Sequence, residues 1–280
     1  MKYINSAEVW AAIPIRAANT HKGSYGKAMV VAGCEEYRGA AALAVLGALR
    51  VGAGLVTLAS AETVIASVAS RILEATFLPL PSKELYARIK SADATLIGCG
   101  MHESEETANI VSSALAVSEG TVIIDAGGLG SIASKLDILK TANKMPIITP
   151  HPGEMAKLLG VTAAAEIDAA REDTAKKFAQ EYNTIVVLKG HHTLIATPRG
   201  DVWQNTTGNA GLARGGSGDV LAGIITGICA QGVDGETAAL CAVYLHGLAA
   251  DLCAARLSMQ GMLPEDILTD LCNVFKEKGR

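Results

Sequence analysis

Short apolar runs alternate with longer stretches of helical periodicity along the first two thirds of this chain. The apolar runs are rich in β-branched residues and predict buried strands at 27–33, 54–60, 94–100, 121–127, 146–154 and 184–190. Between these runs, apolar residues recur at helical spacing and predict helices over about 40–51, 104–118, 131–142, 154–159 and 165–182. Such alternation is typical of an α/β fold with a mostly parallel sheet and right-handed crossovers.

The last third of the chain departs from this alternation. The segments "TLIATP" and "DVWQNTT", separated by Arg199–Gly200, predict a β-hairpin. Three helices are then predicted over about 217–231, 234–256 and 264–276. Because no internal repeat, low-complexity tract or clear linker divides the sequence, we expect a single domain over residues 1–280.

Composition and charge narrow the class of protein. Half of the residues are hydrophobic but only 4% are aromatic, and there are 29 glycines, which suits buried strands and close packing of helices on a sheet. The net charge is −4 and the basic residues are scattered, so nothing indicates nucleic-acid binding. The N-terminus lacks the apolar core of a signal peptide, and the longest apolar stretch is interrupted by Arg50. We therefore expect a cytoplasmic protein without a membrane segment.

The cysteines and histidines show no metal-binding spacing. The six cysteines form no CxxC pair and fall mostly in apolar segments, which indicates reduced thiols in the core. Metal binding by these cysteines is the less favoured interpretation, and the six histidines have no zinc-type spacing.

Polar and small residues collect where the predicted strands end. They lie at 34–38, 98–102, 125–128, 151–154 and 189–193. In a parallel α/β sheet, ligands bind beyond the carboxyl ends of the strands, so we expect these segments to surround one site. A Walker loop, a G-x-G-x-x-G fingerprint after the first strand and a G-x-S-x-G elbow are all absent from the sequence.

The segment "ARGGSGDVLAGII" (213–225) places three glycines and Ser217 around Asp219, directly before an apolar helix. A helix N-terminus attracts anions through its free N–H groups and its partial positive charge. A simple helix cap would explain Ser217 or Asp219, but not the flanking glycines or the upstream Asn205 and Asn209. We interpret the segment as a phosphate-binding turn in which Asp219, stabilised in its charged form, acts as a base.

Two other segments leave alternatives open. In "TPHPGEMAKLLG" (149–160), Glu154 could hold a magnesium–phosphate unit and His151 a polar group of the substrate, although a helix start explains Glu154 nearly as well. In "LKGHHT" (188–193), Lys189 could bind a nucleotide phosphate or could be a solvated lysine in a hairpin turn.

Taken together, these residues resemble the ribokinase-like superfamily, which shares a glycine-rich anion hole with a catalytic aspartate. The resemblance narrows to the ADP/ATP-dependent NAD(P)H-hydrate dehydratase family and extends over about residues 21–250. It rests on "HKGSYGKAMVVAG", "GAAALAVLGALRVGAGLVTLA", "VIIDAGGL", "TPHPGE", "VVLKG" and "TGNAGLARGGSGDVLAGII", which occur in the family's order. The implied fold is a ribokinase-like three-layer sandwich with a mostly parallel central sheet flanked by helices.

The resemblance implies a metabolite-repair reaction. Hydrated NADH or NADPH (NADHX or NADPHX) is phosphorylated on its ring hydroxyl by ADP or ATP with Mg²⁺, and phosphate is then eliminated. Carried over by position, Asp219 is the catalytic base and a substrate contact, and Glu154 is the magnesium–phosphate acid. The implied dinucleotide contacts are Ala40, Gly100 and His151, and the implied nucleotide contacts are Lys189, Gly190, His191, His192, Thr193 and Gly218. A separate NAD(P)HX epimerase and a homotetramer are also expected.

Two positions depart from the family pattern. Cys99 stands where proline is commoner, and Gly128 stands where alanine is commoner.

Two other functions remain as alternatives. The main alternative is a ribokinase-like kinase for a thiazole or pyrimidine alcohol, which would release a stable phosphate ester. The second alternative is a nucleotide-binding regulator without turnover.

Overall fold

Ten strands form one sheet in the computed structural model, which describes residues 1–280. In chain order the strands are β1 (Lys2–Tyr3), β2 (Lys27–Val31), β3 (Leu55–Ser60), β4 (Thr76–Pro79), β5 (Ala94–Ile97), β6 (Thr121–Ile124), β7 (Ile147–Ile148), β8 (Ile185–Leu188), β9 (Leu194–Ala196) and β10 (Val202–Gln204). Their spatial order is β1-β10-β9-β8-β7-β6-β5-β2-β3-β4. Strands β2 to β8 are all parallel to one another, whereas β9 is antiparallel to both β8 and β10. The predicted hairpin is therefore present as β9–β10.

Twelve α-helices surround this sheet. They are α1 (Ser6–Ala12), α2 (Arg38–Arg50), α3 (Glu62–Ala69), α4 (Leu85–Ser91), α5 (Glu105–Val117), α6 (Gly127–Ile132), α7 (Pro152–Leu159), α8 (Ala164–Ala169), α9 (Arg171–Tyr182), α10 (Ser217–Ala230), α11 (Gly235–Gly261) and α12 (Pro264–Glu277). Short 3₁₀ helices lie at Lys22–Tyr25, Leu136–Thr141 and Ala210–Leu212.

The two faces of the sheet belong to two separate hydrophobic cores. Successive residues of a strand point to opposite faces, so Ala28 and Val30 pack with α2, α10 and α11, while Met29 and Val31 pack with α4, α5 and α9. Both faces are apolar because helices cover both, as the continuous apolar runs indicate. The helix–sheet–helix layers confirm the predicted α/β three-layer sandwich.

The structure differs from the predicted elements in several places. The helix predicted over 131–142 is wrong, because α6 ends at Ile132 and the backbone at Lys135 leaves the helical region before the 3₁₀ helix begins. The helix predicted over 165–182 is divided into α8 and α9 at Ala170 (φ −138°, ψ 36°). Strand β7 has only two residues because prolines 146 and 150, which lack an N–H donor, lie on either side of it.

Helix α11 is long and apolar enough, by length and composition, to cross a membrane. However, 61% of its most apolar 18-residue window is buried inside the fold, where it packs with α1, α10 and α12. This is the behaviour of a core helix, so it is weak evidence for a membrane span.

Glycines bring α2 and α10 into close contact. An added Cβ at Gly223 would lie 2.2 Å from the carbonyl oxygen of Ala44, a backbone atom that cannot move aside alone. We expect Gly223→Ala to lower the free energy of unfolding by about 3 kcal/mol through overpacking. Urea denaturation measures this change. The matched control is Gly39→Ala in the same helix pair, where an added Cβ meets nothing within 4 Å; equal midpoints for the two variants would contradict the close approach.

Candidate active site

The carboxyl ends of strands β2 and β5 to β8 meet along one edge of the sheet, here called the carboxyl edge. Asp125 directly follows β6, Lys189 directly follows β8, and Glu154 lies in the first turn of α7. The N-terminus of α10 brings Asp219 to the same place, so that Cys99 Sγ and one carboxylate oxygen each of Asp125 and Asp219 lie within 4.8 Å of one another. The strand ends therefore assemble one polar cluster, as expected for a parallel sheet.

The centre of this cluster is an ion pair between Lys189 and Asp125. Lys189 Nζ lies 2.7 Å from Asp125 Oδ1, and the two side chains are 18% and 2% exposed. Thr149 Oγ1 donates to the same oxygen at 2.7 Å, and Cys99 Sγ donates to Oδ2 at 3.5 Å. Lys189 thus begins the hairpin turn between β8 and β9, but its side chain points into the site and is not solvated.

Each member of the ion pair stabilises the charged form of the other and so offsets the cost of burying a charge. Burial alone would raise the pKa of Asp125, but the Lys189 ammonium and the Thr149 and Cys99 hydrogen bonds outweigh burial and lower it. Burial alone would lower the pKa of Lys189, but Asp125 and Glu154 outweigh it and raise the pKa above its ordinary value. The site therefore keeps the Lys189 ammonium group charged close to the start of α10, where it could contact a phosphate.

Asp219 has the properties of a base that works near neutral pH. Burial raises its pKa to about 6, the charge of Asp125 adds to this shift, and the nearby Cys99 thiol and the charge of Lys189 partly oppose it. Our expectation that the helix N-terminus stabilises the charged form of Asp219 is therefore wrong, because desolvation and a neighbouring carboxylate have the larger effect. A pKa of about 6 favours catalysis, since a base is most effective when its pKa is near the working pH.

The glycine-rich turn leaves the start of α10 open. Gly216 is the N-cap residue with φ 100°, and no side chain accepts a hydrogen bond from the first turn. The simple capping role considered for Ser217 and Asp219 is therefore absent, and the Ser217 hydroxyl is buried without a partner. An added Cβ at Gly218 would lie 3.4 Å from Lys189 Nζ, so the Gly218 backbone is close to the ammonium group. Free N–H groups beside a lysine form a suitable anion site.

His151 and Glu154 form a capping box at the start of α7. His151 Nδ1 accepts from the N–H groups of Gly153 (3.0 Å) and Glu154 (3.2 Å), and Glu154 Oε2 accepts from His151 N at 2.7 Å. This local role explains a histidine before Pro152, which occupies the first helical position. The His151 side chain is 57% exposed and could still contact a substrate.

Glu154 also belongs to the central cluster, because its Oε2 lies 3.6 Å from Lys189 Nζ. Its other oxygen, Oε1, takes part in no hydrogen bond. Mg²⁺ is usually bound in phosphoryl-transfer sites by one or two carboxylates together with phosphate oxygens. The donor set therefore fits a magnesium–phosphate unit, with Glu154 Oε1 as the available protein ligand.

The segment Lys189–Thr193 forms the turn between β8 and β9. The rings of His191 and His192 are exposed and stacked with their centroids 3.9 Å apart, and Thr193 Oγ1 donates to the Gly190 carbonyl. Arg171, at the start of α9, donates to the carbonyl oxygens of Leu188 (3.1 Å) and His191 (2.5 Å) and so holds this turn in place. Sequence analysis missed Arg171, since nothing in the local pattern distinguishes it from a solvated helix residue.

Ala40 and Gly100 meet at the same edge. An added Cβ at Gly100 would lie 2.7 Å from Ala40 Cβ and 2.8 Å from the Tyr37 carbonyl oxygen, and Gly100 has φ +65°. The structure thus brings together two residues that the resemblance assigns to the dinucleotide.

The two asparagines upstream of the glycine turn have a structural role. Asn205 donates to the carbonyl oxygens of Thr207 and Val243, and Asn209 donates to the carbonyl of Ala250 and to Asp251. Their amide groups attach the loop to α11. Our use of these asparagines as support for a phosphate site is therefore wrong, because the loop itself uses them.

Asp125 and Thr149 are two further members of the cluster that local sequence patterns do not single out. Asp125 falls in the polar strand-end segment 125–128, and Thr149 is the first residue of the segment 149–160. The only signal available was their position directly after β6 and β7, which is shared by many residues without function. The pairing of Asp125 with Lys189 spans 64 positions of the chain and could not be read from local spacing.

Comparison with known proteins identifies a family for this fold and site. A family model described as NAD(P)H-hydrate dehydratase matches residues 28–273. The ADP-dependent (S)-NAD(P)H-hydrate dehydratase of Bacillus subtilis is 40% identical over 228 residues, which are 79% of this chain and 78% of that protein. The crystal structure of the ADP/ATP-dependent enzyme from Bacillus subtilis, co-crystallized with ATP/Mg²⁺, has a TM-score of 0.87 at 35% identity and covers 99% of this chain and 98% of that one.

Longer proteins also match. The bifunctional NAD(P)H-hydrate repair enzyme of Moorella thermoacetica is 36% identical over 275 residues, which are 94% of this chain and 52% of that protein. This chain therefore spans about half the length of the bifunctional relatives that it matches.

Proposed function

The chain belongs to the NAD(P)H-hydrate dehydratase family, and from this premise we propose that its carboxyl-edge cluster performs the nucleotide-dependent dehydration of hydrated NADH and NADPH. The reaction is that of a carbon–oxygen lyase and repairs a damaged cofactor. The strongest support for this site is the position of Asp219, which lies at an uncapped helix start beside the Lys189–Asp125 pair. Burial there raises the pKa of Asp219 to about 6.

In the first step, Asp219 accepts the proton of the ring hydroxyl while that oxygen attacks the terminal phosphorus of ADP or ATP. The bond from phosphorus to the bridging oxygen breaks, and AMP or ADP leaves with that oxygen. Lys189 and the free N–H groups at the start of α10 neutralise the charge that develops on the phosphoryl oxygens. Glu154 would hold Mg²⁺, which supplies further neutralisation of that charge when bound.

In the second step, the carbon–oxygen bond to the new phosphate ester breaks and inorganic phosphate leaves. Loss of a ring proton restores the dihydronicotinamide double bond, so the net result is removal of water and cleavage of one nucleotide phosphoanhydride. The phosphate leaves from the same anion site, where the charge of Lys189 stabilises it.

Two groups of residues would hold the two substrates. Lys189–Thr193 and Gly218 would contact the adenine nucleotide, because Lys189 begins this turn and its ammonium group lies beside Gly218 at the open start of α10. Ala40, Gly100 and His151 contact the hydrated dinucleotide, because they lie along the same edge with exposed or small side chains. Gly100 permits the close approach of Ala40 and Tyr37 at this edge, since an added Cβ would lie within 3 Å of both.

We also propose a partner enzyme and an oligomeric state for this protein. We expect an NAD(P)HX epimerase to act in the same repair process in the cytoplasm, and the relatives named bifunctional support this expectation. A homotetramer is expected, and the exposed apolar residues Leu257, Met259 and Leu263 near the end of α11 support contact with another copy.

Recovery of the dihydronicotinamide absorbance from chemically hydrated NADH tests this function. With purified protein, Mg²⁺ and either ADP or ATP, we expect recovery that depends on the nucleotide and releases inorganic phosphate. A product that keeps its phosphate would instead support the small-molecule kinase alternative. Tight binding of both nucleotides without turnover would support a regulator.

The raised pKa of Asp219 also determines the expected pH dependence. The base must be ionised to accept a proton, so kcat/KM should be constant above pH 7 and fall tenfold per pH unit below an apparent pKa of about 6. Initial rates between pH 5 and 8 measure this profile. A profile that stays flat down to pH 4.5 would contradict the raised pKa of Asp219, because an aspartate of ordinary pKa remains ionised there.

A further inference from the structure

A second cluster of chemically reactive side chains lies outside the catalytic cluster. Cys34 and Glu36 follow β2, and His102 follows β5, the parallel neighbour of β2. Cys34 Sγ lies 3.3 Å from Glu36 Oε2, and His102 Nε2 lies 3.1 Å from the same oxygen. The three ligand atoms all lie within 4.8 Å of one another.

These three donors suit one class of metal ion. A thiolate, an imidazole nitrogen and a carboxylate oxygen are the ligands that zinc prefers, whereas Mg²⁺ and Ca²⁺ prefer oxygen alone. In a tetrahedral zinc site the ligand atoms lie about 3.4–3.6 Å apart. The separations in this cluster require only small side-chain rotations to reach that geometry.

The surroundings also favour a cation. No lysine or arginine forms an ion pair with Glu36, whose side chain has Cys34 and His102 as its hydrogen-bond and ion-pair partners. The side chains of Glu36 and His102 are 66% and 62% exposed, so an ion can reach them from solvent. The inner group of Cys99, Asp125 and Asp219 differs in this respect, because the Lys189 ammonium already neutralises Asp125.

We propose that Cys34, Glu36 and His102 form a zinc-binding site at the carboxyl edge. Three protein ligands leave the fourth position for a water molecule or an anionic oxygen. The ion joins the segment between β2 and α2 to the segment after β5. These two segments meet where Gly100 approaches Tyr37, next to Ala40 in the first turn of α2, so the site lies at the border of the proposed dinucleotide cleft.

Zinc titration of the full-length protein tests the proposal. The protein is first freed of metal with a chelator, and zinc chloride is then added in competition with a chromophoric chelator, without nucleotide or Mg²⁺. We expect one zinc ion per chain. Cys34→Ser and His102→Ala should each weaken binding by at least about tenfold, since even the loss of an outer-shell partner costs 10–100-fold.

Cys272→Ser is the matched control, because Cys272 is also a half-buried thiol but lies on α12 away from the cluster. Its zinc affinity should equal that of the unaltered protein. Absence of stoichiometric zinc binding would overturn the proposal. So would unchanged affinity in Cys34→Ser and His102→Ala, or a loss of binding found only in Cys99→Ala, which would place the ion in the inner group.

A second measurement needs no variant. A thiol-alkylating reagent should modify Cys34 in the metal-free protein, and one equivalent of zinc should slow this reaction at least about tenfold, because a zinc-bound thiolate is held by the metal. Peptide mapping by mass spectrometry follows Cys34 and Cys272 in the same sample. Equal rates at Cys34 with and without zinc would exclude it as a ligand.

Discussion

Asp219→Asn is expected to lower the rate of hydrated-NADH recovery by about 100- to 10,000-fold, the usual contribution of a general base. The asparagine has nearly the same shape but cannot accept the hydroxyl proton. The nucleotide site is formed by backbone N–H groups and Lys189, so the affinity for ADP should remain within a few-fold. Absorbance kinetics measure kcat, and calorimetry with ADP measures binding.

Thermal unfolding at pH 8 shows whether this variant is folded. The pKa of Asp219 is about 6 in the fold against an ordinary value of 3.8, so protonation stabilises the folded state. That contribution is complete below pH 3.8 and is lost as the pH rises through about 6. At pH 8 the charged carboxylate therefore opposes folding, and the melting temperature of Asp219→Asn should equal or exceed that of the unaltered protein. Rates near normal in a folded variant would refute the assigned role.

Lys189→Met is expected to abolish turnover and to lower the free energy of unfolding by about 3–5 kcal/mol, the usual cost of breaking a buried ion pair. The substitution leaves the carboxylate of Asp125, 2% exposed, without its cation. It also removes the positive charge proposed to neutralise the phosphoryl group. Urea denaturation measures the stability, and the absorbance assay measures turnover.

The double variant Lys189→Met/Asp125→Asn separates these two effects. Removing both charges should restore much of the stability, because no unpaired ion remains in the interior, while turnover stays absent. Lys140→Met is the matched control, since Lys140 forms an exposed ion pair with Asp137 and should leave the denaturation midpoint unchanged. Equal midpoints for Lys189→Met and Lys140→Met would show that the interior pair does not stabilise the fold.

The fold could be predicted because its evidence is local and repeated. Each buried strand, such as 27–33 or 184–190, is a continuous apolar run, and both faces of the sheet need apolar residues when helices cover both. The helices at 217–231 and 264–276 were predicted to within one residue of α10 and α12. The break at Ala170 was missed because it depends on the backbone conformation of one residue, which apolar spacing does not report.

The candidate site could be predicted only as a set of segments. The rule that ligands bind beyond the carboxyl ends of parallel strands is sufficient to select Asp125, Glu154 and Lys189. It does not say which side chains touch. Asn205 and Asn209 illustrate this limit, because amide groups near a glycine turn can bind a ligand or hold a loop, and the structure shows the second.

The α/β class, the strands that end in polar residues and the glycine-flanked Asp219 at a helix start can all be predicted from the amino-acid sequence. These features depend on neighbours within a few positions, and local periodicity records them. The Lys189–Asp125 pair, the raised pKa of Asp219 and the contact of Cys34 and Glu36 with His102 appear only in the folded chain. Ion pairing, desolvation and metal-ligand geometry depend on distances and burial, which packing sets between residues far apart in the chain.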